Sequence, residues 1–164
     1  RILERLEDRP VMIGGAALMV AGVALVPLVG GLAALIALWA LIGFGFSLTQ
    51  TPIGRIINRS AREADRGAVF AAQFALSHAC WLLTYPLAGW IGAVVGLSFA
   101  ALTLALIGAI GLLAALLLWP AVDPEVLAHD HPDLPLDHPH LAGTGKHQHA
   151  LVIDDLHRRW PKAA

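Results

Sequence analysis

GAVFAAQFALSHACWLLTYPLAGWIGAVVGLSFAALTLALIGAIGLLAALLLWPAV, residues 67–122, holds no Asp, Glu, Lys or Arg in 56 positions. An earlier run, Pro10 to Gly54, is free of charge over 45 positions. A helix needs about 20 apolar residues to cross the roughly 30 Å hydrocarbon core of a bilayer. Each run therefore accommodates two spans and a tight turn, and is too short for three. Neither shows the alternation over about 10 residues that marks a membrane barrel strand. The predicted fold is an all-α membrane protein with four transmembrane helices in two hairpins. The spans fall at about 11–29, 32–51, 68–88 and 94–119, after a cytoplasmic loop at 1–10 and before a tail at 120–164.

The rest of the composition follows from these two runs. Charged residues make up 14% of the chain, against about 25% in a soluble domain, and the mean hydropathy is +0.69. Residues 1–122 confine their charges to two short segments, whereas the tail has ordinary soluble density. A soluble globular domain and a disordered regulator are thereby excluded. Cys80 is the single cysteine, so no internal disulfide forms, and a formal net charge of -1 excludes a basic nucleic-acid binder. The spans contain no nucleophile–base–acid set, so the chain does not read as an enzyme.

Punctuation places the turns. Pro27-Leu28-Val29-Gly30-Gly31 closes the first hairpin, and Gly89-Trp90-Ile91-Gly92 is expected to close the second. Pro52 is expected to bend or end the second span. Ser60-Ala61-Arg62-Glu63 has capping-box spacing, so the third span is expected to start in the cytoplasm and run through Gly67 into the membrane. Gly92 and Gly96 form a GxxxG read as ordinary packing. Arg1, Arg5 and Arg9 precede the first span, Arg55, Arg59, Arg62 and Arg66 lie between the hairpins, and Lys146, Arg158, Arg159 and Lys162 lie in the tail. Neither hairpin turn carries a cation. The positive-inside rule puts both termini and the middle loop in the cytoplasm, in a bacterial-type inner membrane. The chain opens at Arg1 in a charged loop and reads as a piece of a longer protein.

Polar groups inside a membrane mark functional positions. In the third span Gln73, Ser77, Cys80 and Thr84 follow helical spacing on one face. His78 and Tyr85, seven apart, lie on an adjoining stripe. His78 sits near the bilayer midplane, where an imidazole can exchange protons near neutral pH; the alternative is a neutral ring hydrogen-bonded to a neighbouring helix. The second span offers Ser47 and Gln50, with Gly43 and Gly54, on one face near its cytoplasmic end. The fourth span, with only Ser98 and Thr103 as polar groups, reads as a peripheral helix facing lipid.

The tail is expected to be mostly extended and disordered, given Pro124, Pro132, Pro135 and Pro139. Only 150–160 (ALVIDDLHRRW) reads as a strand or turn able to dock on the cytoplasmic face. Three His-x-His pairs, His129/His131, His138/His140 and His147/His149, recur at nine-residue steps. Two histidines one residue apart share a face of an extended chain and can reach one ion. They are candidate ligands for Ni, Zn or Co. No cofactor is otherwise required.

Glu4-Arg5 and Asp8-Arg9, two hairpins, a basic loop ending Arg66-Gly67 and a cytoplasmic tail together resemble helices nine to twelve of a major facilitator superfamily transporter. That family's loop before helix nine carries a G-x-x-x-D-R-x-G-R-R type motif. Here Glu4-Arg5 stands at the Asp-Arg position, Arg9 at a later arginine, and the internal glycine is absent. The resemblance implies that the four spans belong to a larger bundle, completed by missing N-terminal helices of the same transporter. It implies a gating role for Glu4, Arg5 and Arg9. It makes the second span a cavity-lining helix and the third a contact with the other half. The His-rich tail is similar to that of nickel-resistance-type members. The implied function is a secondary active exporter of a small molecule or ion, working by alternating access. The alternative is a small four-helix membrane protein that binds or senses divalent metal through its tail. A small multidrug exporter is disfavoured, because no glutamate lies within a span.

Overall fold

The computed structural model describes residues 7–122, 126–131, 134–135, 137–141 and 146–157, with only the backbone at 146 and 147. In order, these form α1 (Asp8–Leu25), a 3-10 turn (Val26–Leu28), α2 (Leu32–Gln50), α3 (Ile53–Ser60), α4 (Glu63–Val94), α5 (Leu97–Leu118), β1 (Val126–Asp130), a second 3-10 turn (Pro139–Leu141) and β2 (Lys146–Ala150). Four helices are long and apolar enough to cross a membrane. Two compact units divide the chain: Arg1–Gly54 with Ala71–Ala121, and Arg55–Phe70 with Val122–Ala164.

In the first unit α1 packs against both α2 and α5. Glycine makes the first contact possible. A Cβ added at Gly15 would lie 2.6 Å from the Gly45 carbonyl oxygen and 2.7 Å from Leu48 Cβ, and one added at Gly45 would lie 2.7 Å from the Gly15 oxygen. The two backbones touch with no side chain between them, as small residues allow where lipid provides no hydrophobic drive for association. One turn or two along, Gly22 receives Ile42. On the other side of α1, Val20 meets Gly108 of α5, and Ala100, Ala101 and Ala105 are buried. The fourth span is thus a packed partner of α1 in addition to carrying exposed leucines such as Leu117 and Leu118.

Two sequence expectations about boundaries change. The helix α4 runs straight through Gly89–Gly92, and the chain reverses at Val95–Gly96, where Gly96 has φ +116°. That backbone region suits glycine alone, so Gly96 makes the turn and only Gly92 packs, against Leu97 and Ala100. Pro86, Gly89 and Gly92 stay helical, as such residues do in membrane helices. Likewise Ser60 ends α3 instead of capping α4. The carbonyl of Arg62, the residue before α4, accepts the N–H groups of Asp65 and Arg66 at 2.9 and 3.1 Å. Helix α4 does begin before Gly67 and pass through it. The break after Gln50 falls at Thr51-Pro52, where proline removes a helical N–H.

The second unit departs most from expectation. The tail contains an antiparallel pair, β1 and β2, with Val126 opposite Ala150 and His129 opposite His147. Leu141 and Leu151 are fully buried, at 0% and 1% exposure, and Ile57 and Ala61 are buried in the same unit. The 150–160 segment does dock through its described part. Ile153 forms a parallel bridge with Ala61, and its N–H donates to the Ser60 carbonyl at 3.1 Å. Arg62 bonds Asp65 at 2.8 Å and Asp155 at 3.2 Å. Hydrogen bonding to Asp65 and the two carboxylates' charges hold the Arg62 guanidinium above its ordinary pKa. The prolines exclude helix here, yet two short alternating segments between them are enough for a strand pair.

Candidate functional site

The membrane candidates lie on two helices. On α4 the Ser77 hydroxyl donates to the Phe74 carbonyl at 2.8 Å, and the Thr84 hydroxyl to that of Cys80 at 2.9 Å. The His78 Nδ1–H donates to the Phe74 carbonyl at 2.8 Å. A carbonyl only accepts, so the neutral ring is the Nδ1–H tautomer and presents Nε2 as an acceptor. His78 stacks on Phe74 at 3.8 Å between ring centroids and meets Trp81 at 4.7 Å, and Trp81 stacks on Tyr85 at 6.2 Å. The stripe expected from His78 and Tyr85 is therefore a ladder of four rings, Phe74, His78, Trp81 and Tyr85. Among the described residues the Nδ1 bond of His78 is made within α4, and Nε2 is left to face a neighbour. Gln73, Ser77 and Thr84 are half-buried, whereas His78 and Tyr85 are exposed. On α2 the Ser47 hydroxyl donates to the Gly43 carbonyl at 3.0 Å, and Gln50 is exposed. No hydrogen bond joins the α2 pair to the α4 set among the described residues.

An open groove of about 590 Å³ is lined by Pro10, Val11, Gly14, Ala17, Leu18, Ala21 and Leu48. Those side chains carry no polar group to orient a ligand, so the groove does not read as a substrate site.

Of the gating candidates, Glu4 and Arg5 lie outside the described residues. Arg9 caps α5: its Nε donates to the Trp119 carbonyl at 3.0 Å and its Nη2 to that of Leu116 at 3.3 Å. A cation on the last carbonyls of a helix satisfies unpaired acceptors and opposes the macrodipole. The contact places the start of α1 and the end of α5 at the same end of their unit.

The histidines of the tail form the densest polar cluster. His129 on β1, His140 in the 3-10 turn, His149 on β2 and His157 bring one ring nitrogen each to within 4.8 Å of one another. The rings of His129, His131, His140 and His149 follow one another at 4.8–5.0 Å, and His157 lies 4.9–5.1 Å from all four. Three rings have their outer nitrogen fixed. The Nδ1–H of His129 donates to the Leu127 carbonyl at 3.0 Å, that of His149 to the Ala150 carbonyl at 2.7 Å, and that of His157 to Asp154 Oδ1 at 2.9 Å. Asp154 Oδ1 also accepts the backbone N–H groups of Leu156 and His157, at 2.9 and 2.7 Å. Burial pushes the Asp154 carboxyl up, but these hydrogen bonds outweigh it and hold the group below its ordinary pKa. Burial, then repulsion from the four neighbouring imidazoles, lowers the pKa of His140.

Five of the six expected tail histidines can be placed by their side chains. His129, His131, His140 and His149 come together. His138 does not: its Nδ1 accepts the His140 backbone N–H at 3.2 Å, and the two rings are 6.5 Å apart. The side chain of His147 lies outside the described part. His157, missed because it has no His-x-His partner, completes the group. Its signal is Asp154, three residues earlier, at the spacing that lets a carboxylate orient an imidazole.

Four membrane-length helices, with their few polar side chains gathered mainly on α4 and the end of α2, and a polar unit at 55–70 and 122–164 define a polytopic α-helical membrane protein. The Major Facilitator Superfamily family model matches residues 1–153, and the chain belongs to that superfamily of membrane transporters. No curated protein and no solved structure matched the chain.

Proposed function

We propose that the chain is the helix nine to twelve portion of a secondary active exporter that works by alternating access. It sits in a bacterial-type inner membrane with both ends of this portion in the cytoplasm. The observation that carries this reading is α4, a 32-residue helix with no buried residue and with Gln73, Ser77, His78 and Thr84 along it. A membrane helix keeps such groups for a protein neighbour or a water-filled path. Helix α4 is assigned the contact with the other half of the transporter and α2, through Ser47 and Gln50, a cavity wall. Small residues such as Gly15 of α1 and Gly45 of α2 let that pair slide past one another. The superfamily match lends no support to the alternative of a free-standing four-helix metal sensor.

The full reading frame tests this in everted membrane vesicles carrying a pH-sensitive dye. A proton-coupled exporter dissipates an imposed proton gradient when its substrate is added, and a panel of hydrophobic cations, small organic anions and Ni²⁺ or Zn²⁺ supplies the probes. At least one substrate class is expected to collapse the gradient. Uptake into right-side-out cells driven by the same gradient, with no response in everted vesicles, refutes the export direction.

A further inference from the structure

We propose that His129, His140, His149 and His157 bind one divalent first-row transition cation, which acts as a staple of the unit at 55–70 and 122–164 rather than as cargo. The tautomers carry the argument. Leu127 and Asp154 each take the Nδ1–H of a histidine, so the Nε2 atoms of neutral His129 and His157 are both acceptors, yet they lie 2.9 Å apart. His131 Nε2 lies 3.2 Å from the same His157 atom. Lone pairs brought this close are stabilised by a cation between them. A metal–nitrogen bond of about 2.0–2.1 Å separates cis octahedral ligands by roughly 2.8–3.0 Å and tetrahedral ligands by roughly 3.3–3.4 Å, so the 2.9 Å pair matches the first and the 3.2 Å pair falls between the two.

The outer contacts are those of metal-bound imidazoles, which donate their second N–H to a carbonyl or carboxylate. His149 fits the same pattern through Ala150, and its Nε2 is buried. All-imidazole ligation selects Zn²⁺, Ni²⁺, Co²⁺ or Cu²⁺ over Mg²⁺ and Ca²⁺, which take oxygen. His131 is placed to serve as a fifth ligand.

The four ligands come from four separate segments, and one of these is tied to the junction between α3 and α4. His157 follows Ile153, which bonds Ser60 and bridges Ala61, and Asp155, which pairs with Arg62. An ion holding His157 to β1 and β2 therefore fastens the tail to the loop between the second and third spans.

The test uses the whole chain in detergent, with zinc in competition against a chromophoric chelator, and repeats the titration with nickel. One ion per chain is expected. Asp154→Asn should weaken zinc about 10- to 100-fold, the usual loss for an orienting partner, and His157→Ala by more. His138→Ala should change affinity less than about threefold, since its Nδ1 lone pair already accepts a backbone N–H. Zinc should also slow amide exchange at Ile153 at least about tenfold in the wild type, but not in His157→Ala. Equal losses in His138→Ala and His157→Ala, or more than one ion at similar affinity, would show only unspecific binding by a His-rich tract and overturn the site. Tight binding that leaves Ile153 exchange unchanged overturns the staple. Circular dichroism of the four long helices confirms that each variant is folded.

Discussion

Adjacent glycines in α1 offer a sharp test of the packing. Gly15 faces α2, and a Cβ there would sit 2.6 Å from the Gly45 oxygen, 2.7 Å from Leu48 Cβ and 3.0 Å from the Thr49 nitrogen. Ordinary contact begins near 3.4 Å, so Gly15→Ala must move the helices apart by about 0.8 Å. A gap of that size forfeits roughly a quarter to a half of the dispersion energy along the contact. Two of the clashing atoms are backbone and cannot rotate away, which places the cost in the overpacking range of about 1–3 kcal/mol. Gly14, one residue earlier, has nothing within 4 Å. There Ala removes only glycine's conformational entropy and should stabilise by about 0.5–1 kcal/mol. The two variants are thus expected to differ by about 1.5–4 kcal/mol in opposite directions. Unfolding by sodium dodecyl sulfate from a mild detergent, followed by tryptophan fluorescence, measures both. The Gly15→Ala, Gly45→Ala double variant should cost less than the two single losses together, because helices already separated have room for the second methyl. Equal midpoints for Gly14→Ala and Gly15→Ala would refute direct backbone contact between α1 and α2.

Two further outcomes follow from the helix ends. Arg9→Ala should destabilise by about 1 kcal/mol through loss of the cation on the α5 carbonyls, and Arg9→Lys should recover part of it; no change in the detergent titration would remove the capping role. In a Cys80→Ala background of the full reading frame, single cysteines at Gly31 and Val95 should react with a membrane-impermeant maleimide added outside. A cysteine at Asn58 should react only after lysis, and the reverse pattern would invert the topology.

The span number was legible because charge-free length is dictated by bilayer thickness, and nothing else in a chain of this size needs it. Where the second hairpin turns was not legible. Within a uniformly apolar run Gly89 and Gly92 look like punctuation, but lipid supplies no water to compensate a broken helical bond, so the helix persists to a residue that must take positive φ. Packing partners were hidden for a related reason: α5 presents alanines and Gly108 to α1, and small apolar residues mark a lipid face and a tight interface alike. In the tail, counting His-x-His pairs found four of the converging rings. It ranked His138 with them, because a backbone N–H competing for its lone pair is a property of the turn at 139–141 and not of the local sequence. His157 escaped because its histidine neighbours are distant in sequence, and only its orienting Asp154 is local.

The placement of α1 between α2 and α5 has a consequence for synthesis. Val20 and Gly108, which touch in the finished unit, are 88 positions apart in the chain. At about 5–20 residues per second the ribosome needs roughly 4–18 s to cover that interval. Once α2 has followed, for most of that time, the first span stands in the bilayer with one flank closed by its glycine contact and the other lent to lipid, until α5 displaces it.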